Sequence, residues 1–370
     1  MRIAIVTDWL VSMGGAERTL INLLELYPDA TIYTTVCNKE VLEEPLKSAN
    51  IITSSLQKRK TIKNHRKLFP FMPTAIESFD LNGYDMVISW SSCVAKGVIT
   101  NPSTLHVCYC HSPMRYAWEF SYEYAAKMAG KNKFVNKILN YFLTFIRVWD
   151  YASSARVDYF MTNSHNVAKR IYKHYRRKAE VIHSPVICDF FKPMDENGDY
   201  YLVVSRLQEY KRADIAIDAC NKLGLPLIVV GTGPFEQKLK SMAGLTVKMV
   251  GCVSDNELRE YYAKCKAFLF PGEEDYGMAP LEAMSCGRPA IAYGKGGALE
   301  TIVEGKTGLF FEEQTTESLI SAIKKFETIK FNKEEIRAHA LKFDESVFKL
   351  QIKDFVERKY KEFQEENLRL

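Results

Sequence analysis

Two carboxylates, Glu274 and Glu282, stand eight residues apart in FPGEEDYGMAPLEAM, with Gly277 between them. The apolar run AFLF reads as a buried strand and PGEEDYG as the loop at its carboxyl end. A helix follows, with Pro280 in its first turn, where a missing N–H loses no partner, and Gly287 at its stop. The free N–H groups around Gly277, Met278 and Ala279 then point outward, backed by roughly half a positive charge from the helix dipole. Such a place holds a phosphate or a polar sugar. Glu274 on the loop and Glu282 one turn into the helix each suit a pair of hydroxyls. An acidic helix start can also be merely stabilising, but Glu282 lies in the apolar segment APLEAM, where a carboxylate needs a reason.

Cations follow another strand. Arg206 and Lys211, in SRLQEYK after YYLVVS, are placed for a diphosphate. Each charged hydrogen bond of that kind is worth about 1.5–3 kcal/mol. VVGTGP adds Gly231 at a further strand end, and WLVSMGGAERTL puts Gly14 and Gly15 at the start of an early helix, again a backbone anion site. The latter is not G-x-G-x-x-G, which argues against a nicotinamide or flavin domain.

The elements that must position these groups alternate from end to end. RIAIV, TIYTTV, YDMVISW, LHVCYC, DYFMTNS and AEVIHSPV are strand candidates in the first half. YYLVVSRL, PLIVVG, VKMVG, AFLFPG, PAIAYG and GLFF are those of the second. Apolar strands separated by helices predict parallel sheets covered on both faces, hence an α/β chain of two doubly wound, Rossmann-like domains facing a central cleft. The polar stretch KPMDENGDY marks the break, giving domains 1–192 and 193–345 and a charged amphipathic helix over 346–370.

Bulk properties agree. A length of 370 residues suits two domains, and a net charge of +5 is too mild to imply nucleic acid. No apolar run reaches the ~18 residues of a membrane span, and the N-terminus meets Asp8 before a signal core could form. Nine cysteines without a C-x-x-C fit a reducing compartment. In LHVCYCH, Cys108 and Cys110 face one side of a strand and His111 the other, so four zinc ligands cannot converge there. Buried thiols are the simpler account.

The passage EDYGMAPLE resembles the Glu-x7-Glu signature of the retaining glycosyltransferases of family 4, which have the GT-B fold. The early GG loop, TNSHNVAKRI, SRL with its lysine, VVGTGP and GCVSDNEL extend the resemblance over nearly the whole chain. CHSPMRYAWEF resembles the subgroup that builds O-antigen, capsule or exopolysaccharide, many of them mannosyltransferases. The resemblance implies that Arg206 and Lys211 neutralise a donor diphosphate and that Glu282 holds ribose hydroxyls. It implies that Glu274, with the backbone of Gly277, Met278 and Ala279, holds the donor sugar. Gly14 and Gly15 would close on the phosphates, Gly231 would belong to the donor site, Val253 would lie near the base, and His111 near the anomeric carbon. Arg115 and Trp118 are acceptor candidates, and the family usually returns its last helix to the first domain. The donor implied is GDP-mannose before a UDP-hexose, and the acceptor a lipid-linked or growing polysaccharide.

The chain has no D-x-D, and a cationic pair makes a metal unnecessary, so a metal-independent transfer is expected, with no cofactor beyond the nucleotide sugar. LQKRKTIKNHRKLFPFMP is basic without an acid and carries Phe69, Phe71 and Met72, while KFVNKILNYFLTFIRVW is apolar with basic flanks. Both suit an anionic membrane surface, and with it a cytoplasmic protein peripheral to the inner face. A solvated basic face and a core helix are the plainer reading. Two alternatives stand beside the transferase: a non-hydrolysing sugar-nucleotide 2-epimerase, which would not need the CHSPMRYAWEF loop, and a non-catalytic subunit of a transferase complex.

Overall fold

The computed structural model describes residues 1–58, 62, 64–130 and 132–368. The chain divides into two compact units, Met1–His183 together with the segment from Lys349 onward, and Ser184–Phe348. This division precedes the 192/193 break because Val186, Cys188 and Phe191 are buried in the core of the second unit.

In the first unit seven strands form one parallel sheet in the order β3-β2-β1-β4-β5-β6-β7. They are β1 (Ile3–Thr7), β2 (Thr31–Thr34), β3 (Ile51–Thr53), β4 (Met86–Ser91), β5 (Leu105–Cys110), β6 (Tyr159–Thr162) and β7 (Ala179–Val181). Six were expected; β3 is the addition, a three-residue edge strand too short for a period to show. The principal helices are α1 (Gly15–Leu26), α2 (Ser121–Ala129), α3 (Lys133–Ser154) and α4 (His165–Tyr175). β1, β4 and β5 are buried at every position, as strands covered on both faces must be.

The second unit has a six-stranded parallel sheet in the order β10-β9-β8-β11-β12-β13. Its strands are β8 (Tyr201–Val204), β9 (Leu227–Val230), β10 (Val247–Gly251), β11 (Ala267–Phe270), β12 (Ala290–Tyr293) and β13 (Gly308–Phe311). Its helices include α5 (Ala213–Leu223), α6 (Asp255–Lys264) and α7 (Met278–Ser285). Alternate residues fill two cores, one on each side of the sheet. Tyr201, Val203 and Leu269 enter one, while Leu202, Phe268 and Phe270 enter the other.

Both sheets reverse their order once, between β1 and β4 and between β8 and β11. Loops leaving such a neighbouring pair diverge to opposite faces and open a crevice at the carboxyl ends of the strands. The last helix, α8 (Glu345–Asn367), buries Phe348, Ile352, Phe355 and Val356, whereas Leu350 is exposed. From Lys349 onward it belongs to the first unit, where Lys349 pairs with Glu25 and Arg358 with Glu180.

Candidate active site

The loops that follow β8 and β11 carry the expected cations and carboxylates on the two strands that flank the reversal of the second sheet. Lys211 closes a short 3-10 turn, Glu209–Lys211, and its Nζ is ion-paired with Glu274 Oε1. Both side chains are largely sheltered, at 16% and 18% exposure, so water screens the pair only partly. Gly272 permits the approach, since a Cβ there would lie 3.0 Å from the Lys211 Cα. Arg212 strengthens the join: its guanidinium donates to Gln314, which donates to the Pro271 carbonyl at 2.9 Å. Arg206 stands exposed on the same loop as Lys211.

Gly277 has φ +92, a conformation costly for any other residue, and a Cβ would come 2.8 Å from the Phe270 ring. It precedes α7 without a side-chain cap, which leaves the N–H groups at Met278 and Ala279 as the free helix start. At the far end the Gly287 N–H reaches the Met284 carbonyl and the Arg288 N–H the Ala283 carbonyl, both at 2.9 Å, a Schellman closure. Glu282, one turn into α7, accepts a 2.6 Å hydrogen bond from the buried Tyr262 hydroxyl. That answers why an apolar segment tolerates a carboxylate: it is held and aimed from below.

Further loops complete the rim. Gly231, at φ +126, would place a Cβ 2.0 Å from the Ser205 carbonyl, so the loop after β9 presses directly on the loop after β8. Lys295–Gly297, after β12, was not singled out in the sequence, although its paired glycines after PAIAY are the same signal as VVGTGP. The Gly297 N–H holds the Glu274 carbonyl at 2.9 Å, and a Cβ on Gly296 would meet that oxygen at 2.3 Å. Val253, after β10, is half-buried against the core beneath the sheet.

The other expected residues lie in the first unit. Gly14 is the extended N-cap of α1, again without a side-chain cap, and Gly15 is its first residue. His111 directly follows β5, in edge-on contact with Trp90 and Tyr109. Burial drives its pKa down to about 3, and Nε2 has no hydrogen-bond partner among the described residues. A neutral imidazole there can donate or accept one hydrogen bond but does not serve as a cation. Arg115 lies over the Phe120 ring. Trp118 donates to Asp150 at 2.7 Å and stacks on His174, so its indole N–H is already used.

Two arrangements escaped the sequence reading. Asp8, buried at the end of β1, accepts from the N–H groups of Ser92, Val94 and Ala95, each at 2.7 Å, and so fixes the loop after β4. Burial raises its pKa against the pull of those three hydrogen bonds. Lys96 and Asp150 form a fully buried ion pair, to which Tyr175 adds a 2.8 Å hydrogen bond. Of the supposed membrane anchors, Phe69 and Met72 are core residues and only Phe71 is exposed, whereas Arg59, Lys60, Thr61 and Lys63 lie outside the described residues. All nine cysteines are free and all but Cys252 buried. Among the described residues no three His, Cys, Asp or Glu side chains cluster as a metal site.

Residues 13–190 match the model of Glycosyltransferase Family 4 and residues 189–343 that of Glycosyl transferases group 1. Together these two glycosyltransferase models cover residues 13–343, and the chain has the GT-B fold. An uncharacterized glycosyltransferase of Methanocaldococcus jannaschii is 29% identical to this GT-B chain over 147 residues, 38% of this chain and 41% of the relative. A GDP-mannose-dependent alpha-(1-6)-phosphatidylinositol monomannoside mannosyltransferase of Mycobacterium tuberculosis is 30% identical over 138 residues, 32% of this chain and 36% of the relative. The matched segments thus span about two fifths or less of these relatives' lengths. The fold extends further: the structure of Anabaena HepE in complex with UDP-glucose superimposes with a TM-score of 0.70 at 17% identity, covering 97% of this chain and all of that one.

Proposed function

We propose that the chain is a retaining hexosyltransferase of family 4, moving a hexose from a nucleoside-diphosphate sugar to a lipid-linked or growing polysaccharide acceptor. The observation that carries this reading is the Lys211–Glu274 pair beside the uncapped start of α7. Lys211, Arg206 and the N–H groups of Met278 and Ala279 take the diphosphate; Glu274 orders the sugar hydroxyls and Glu282 those of the ribose. Gly14, Gly15 and Gly231 let backbone approach the phosphates, and Val253 meets the base. GDP-mannose is the favoured donor, a UDP-hexose the second. The Mycobacterium relative is named for the first and the Anabaena structure holds the second.

The demanding event is departure of the diphosphate, as negative charge grows on the leaving oxygen and positive charge on the anomeric carbon. Cations and fixed N–H groups at the leaving oxygen supply ~10²-fold or more each. Glu274, engaged with Lys211 and with sugar hydroxyls, is poorly placed to attack the anomeric carbon. The acceptor therefore enters on the face the diphosphate leaves, and the departing phosphate takes its proton. His111 hydrogen-bonds the sugar, and Arg115 and Trp118 border the acceptor. No metal is required. A lipid-linked acceptor makes the enzyme peripheral to the inner face of the membrane.

A thermal-shift panel of GDP-mannose, UDP-glucose, UDP-N-acetylglucosamine and UDP-galactose tests the reading, with turnover followed in EDTA. One donor stabilises the protein, and the product keeps the donor's anomeric configuration by NMR. Stabilisation by none, or release of a 2-epimer in place of a glycoside, refutes it.

A further inference from the structure

Helices α2 and α3 carry apolar side chains on the side turned away from the core of their unit. In α3, Leu143, Ile146, Asp150, Ser153 and Ser154 are buried. Opposite them Phe134, Ile138, Tyr141, Phe145 and Val148 are between 52% and 82% exposed. At the helical rotation of ~100° per residue these five fall within roughly 80° of arc, in a stripe about 21 Å long. α2 adds Tyr122 and Met128, at 81% and 59% exposure. Single exposed apolar residues are ordinary, but a continuous stripe with three aromatic rings, each worth about 150–250 Å² of contact, marks an interaction face.

The charges choose the partner. Residues 121–148 contain Lys127, Lys131, Lys133, Lys137 and Arg147 against one acid, Glu123. Lys133 and Lys137 are exposed and lie to one side of the stripe. A second copy offering the same face would set cation against cation. An anionic bilayer satisfies both parts, its acyl boundary taking the stripe and its headgroups the lysines. No described helix is long and apolar enough to cross a membrane, so α3 would lie in the plane of the interface. It is also firmly held: buried Asp150 ties it to Lys96, Trp118 and Tyr175.

We propose that α2 and α3 form the docking face for an anionic phospholipid surface. Phe134, Ile138, Tyr141, Phe145 and Val148 enter the acyl boundary, and Lys133 and Lys137 engage the headgroups. This locates the membrane contact of the proposed enzyme, but it rests on α2 and α3 alone and stands or falls apart from the donor chemistry.

Flotation of the full chain with phosphatidylcholine vesicles and with mixed phosphatidylcholine–phosphatidylglycerol vesicles is the test. The protein floats with the mixed vesicles only. Pairing Phe134→Glu with Phe145→Glu abolishes flotation. Pairing Lys133→Gln with Lys137→Gln lowers the partition coefficient on the order of tenfold or more and weakens its salt dependence. Both variants keep the melting temperature and the donor-induced thermal shift of the parent. Failure to float with mixed vesicles overturns the proposal, as does equal flotation of the Phe134→Glu/Phe145→Glu variant. A dimer in sedimentation velocity that this variant dissolves, without vesicle binding by the parent, reassigns the face to self-association.

Discussion

Lys211 and Glu274, 63 positions apart in sequence, form an ion pair that joins the loop after β8 to the loop after β11. In the absence of ligand each charge is balanced by the other. In the proposed reaction an arriving diphosphate competes with Glu274 for the ammonium, and Glu274 turns to the sugar. Lys211→Ala is expected to lower kcat/KM by ~10²-fold or more. Lys211→Arg, which keeps charge but not shape, recovers only part. Full turnover in Lys211→Ala would remove this pair from the site.

Gly296 is held at φ +65, with the Glu274 carbonyl where its Cβ would stand. Gly296→Ala must therefore displace the Glu274 loop. The expected cost in stability, from chemical denaturation, is about 1–3 kcal/mol. The donor-induced thermal shift is expected to disappear. A variant that binds donor normally would show that this loop does not position Glu274.

Tyr262 supports Glu282 through one 2.6 Å hydrogen bond. Tyr262→Phe keeps the ring and removes the donor to a carboxylate, a loss worth about 1.5–3 kcal/mol. Donor affinity should fall on the order of tenfold or more while kcat changes less, since Glu282 is assigned to the ribose rather than to the reacting carbon. Steady-state kinetics separates KM from kcat and decides the matter.

Lys96 and Asp150 are buried together, and removing one partner leaves an uncompensated charge. Lys96→Met is expected to destabilise the fold by about 3–5 kcal/mol, read from urea denaturation. A smaller loss would mean that Trp118 and Tyr175 suffice to hold Asp150.

Burial holds His106 down to about 4 and His111 to about 3, from ordinary values near 6.5. Both are neutral in the folded chain at pH 7 and bind protons more readily once unfolded. The stability this represents is complete above about pH 6.5 and is lost as pH falls towards 4 and then 3. His111→Gln should flatten the acid limb of unfolding free energy against pH. Parallel curves would contradict the burial of His111.

Much of this was legible in the residues. Twelve of the strands announced themselves as apolar runs, and Gly277, Pro280 and Gly287 bracketed α7 through their backbone preferences alone. β3 was not legible, because three residues with one turned outward carry no period. The strand order was not legible either, and it is this order that sets β8 beside β11 and so brings Lys211 to Glu274. Asp8 looked like any acid after a strand; only the folded chain shows three N–H groups converging on it from 84 to 87 positions away. The Lys96–Asp150 pair is hidden for the same reason, being local in space and remote in sequence.

The segment Ser184–Phe348 begins and ends within one small patch of backbone. Val186 donates to the Phe343 carbonyl at 2.9 Å, and its own carbonyl accepts from Glu345 at 3.2 Å. Entry and exit being neighbours, the second unit is a cassette set into the first. Such an arrangement lets recombination exchange one half for another by rejoining two adjacent ends, leaving each hydrophobic interior intact.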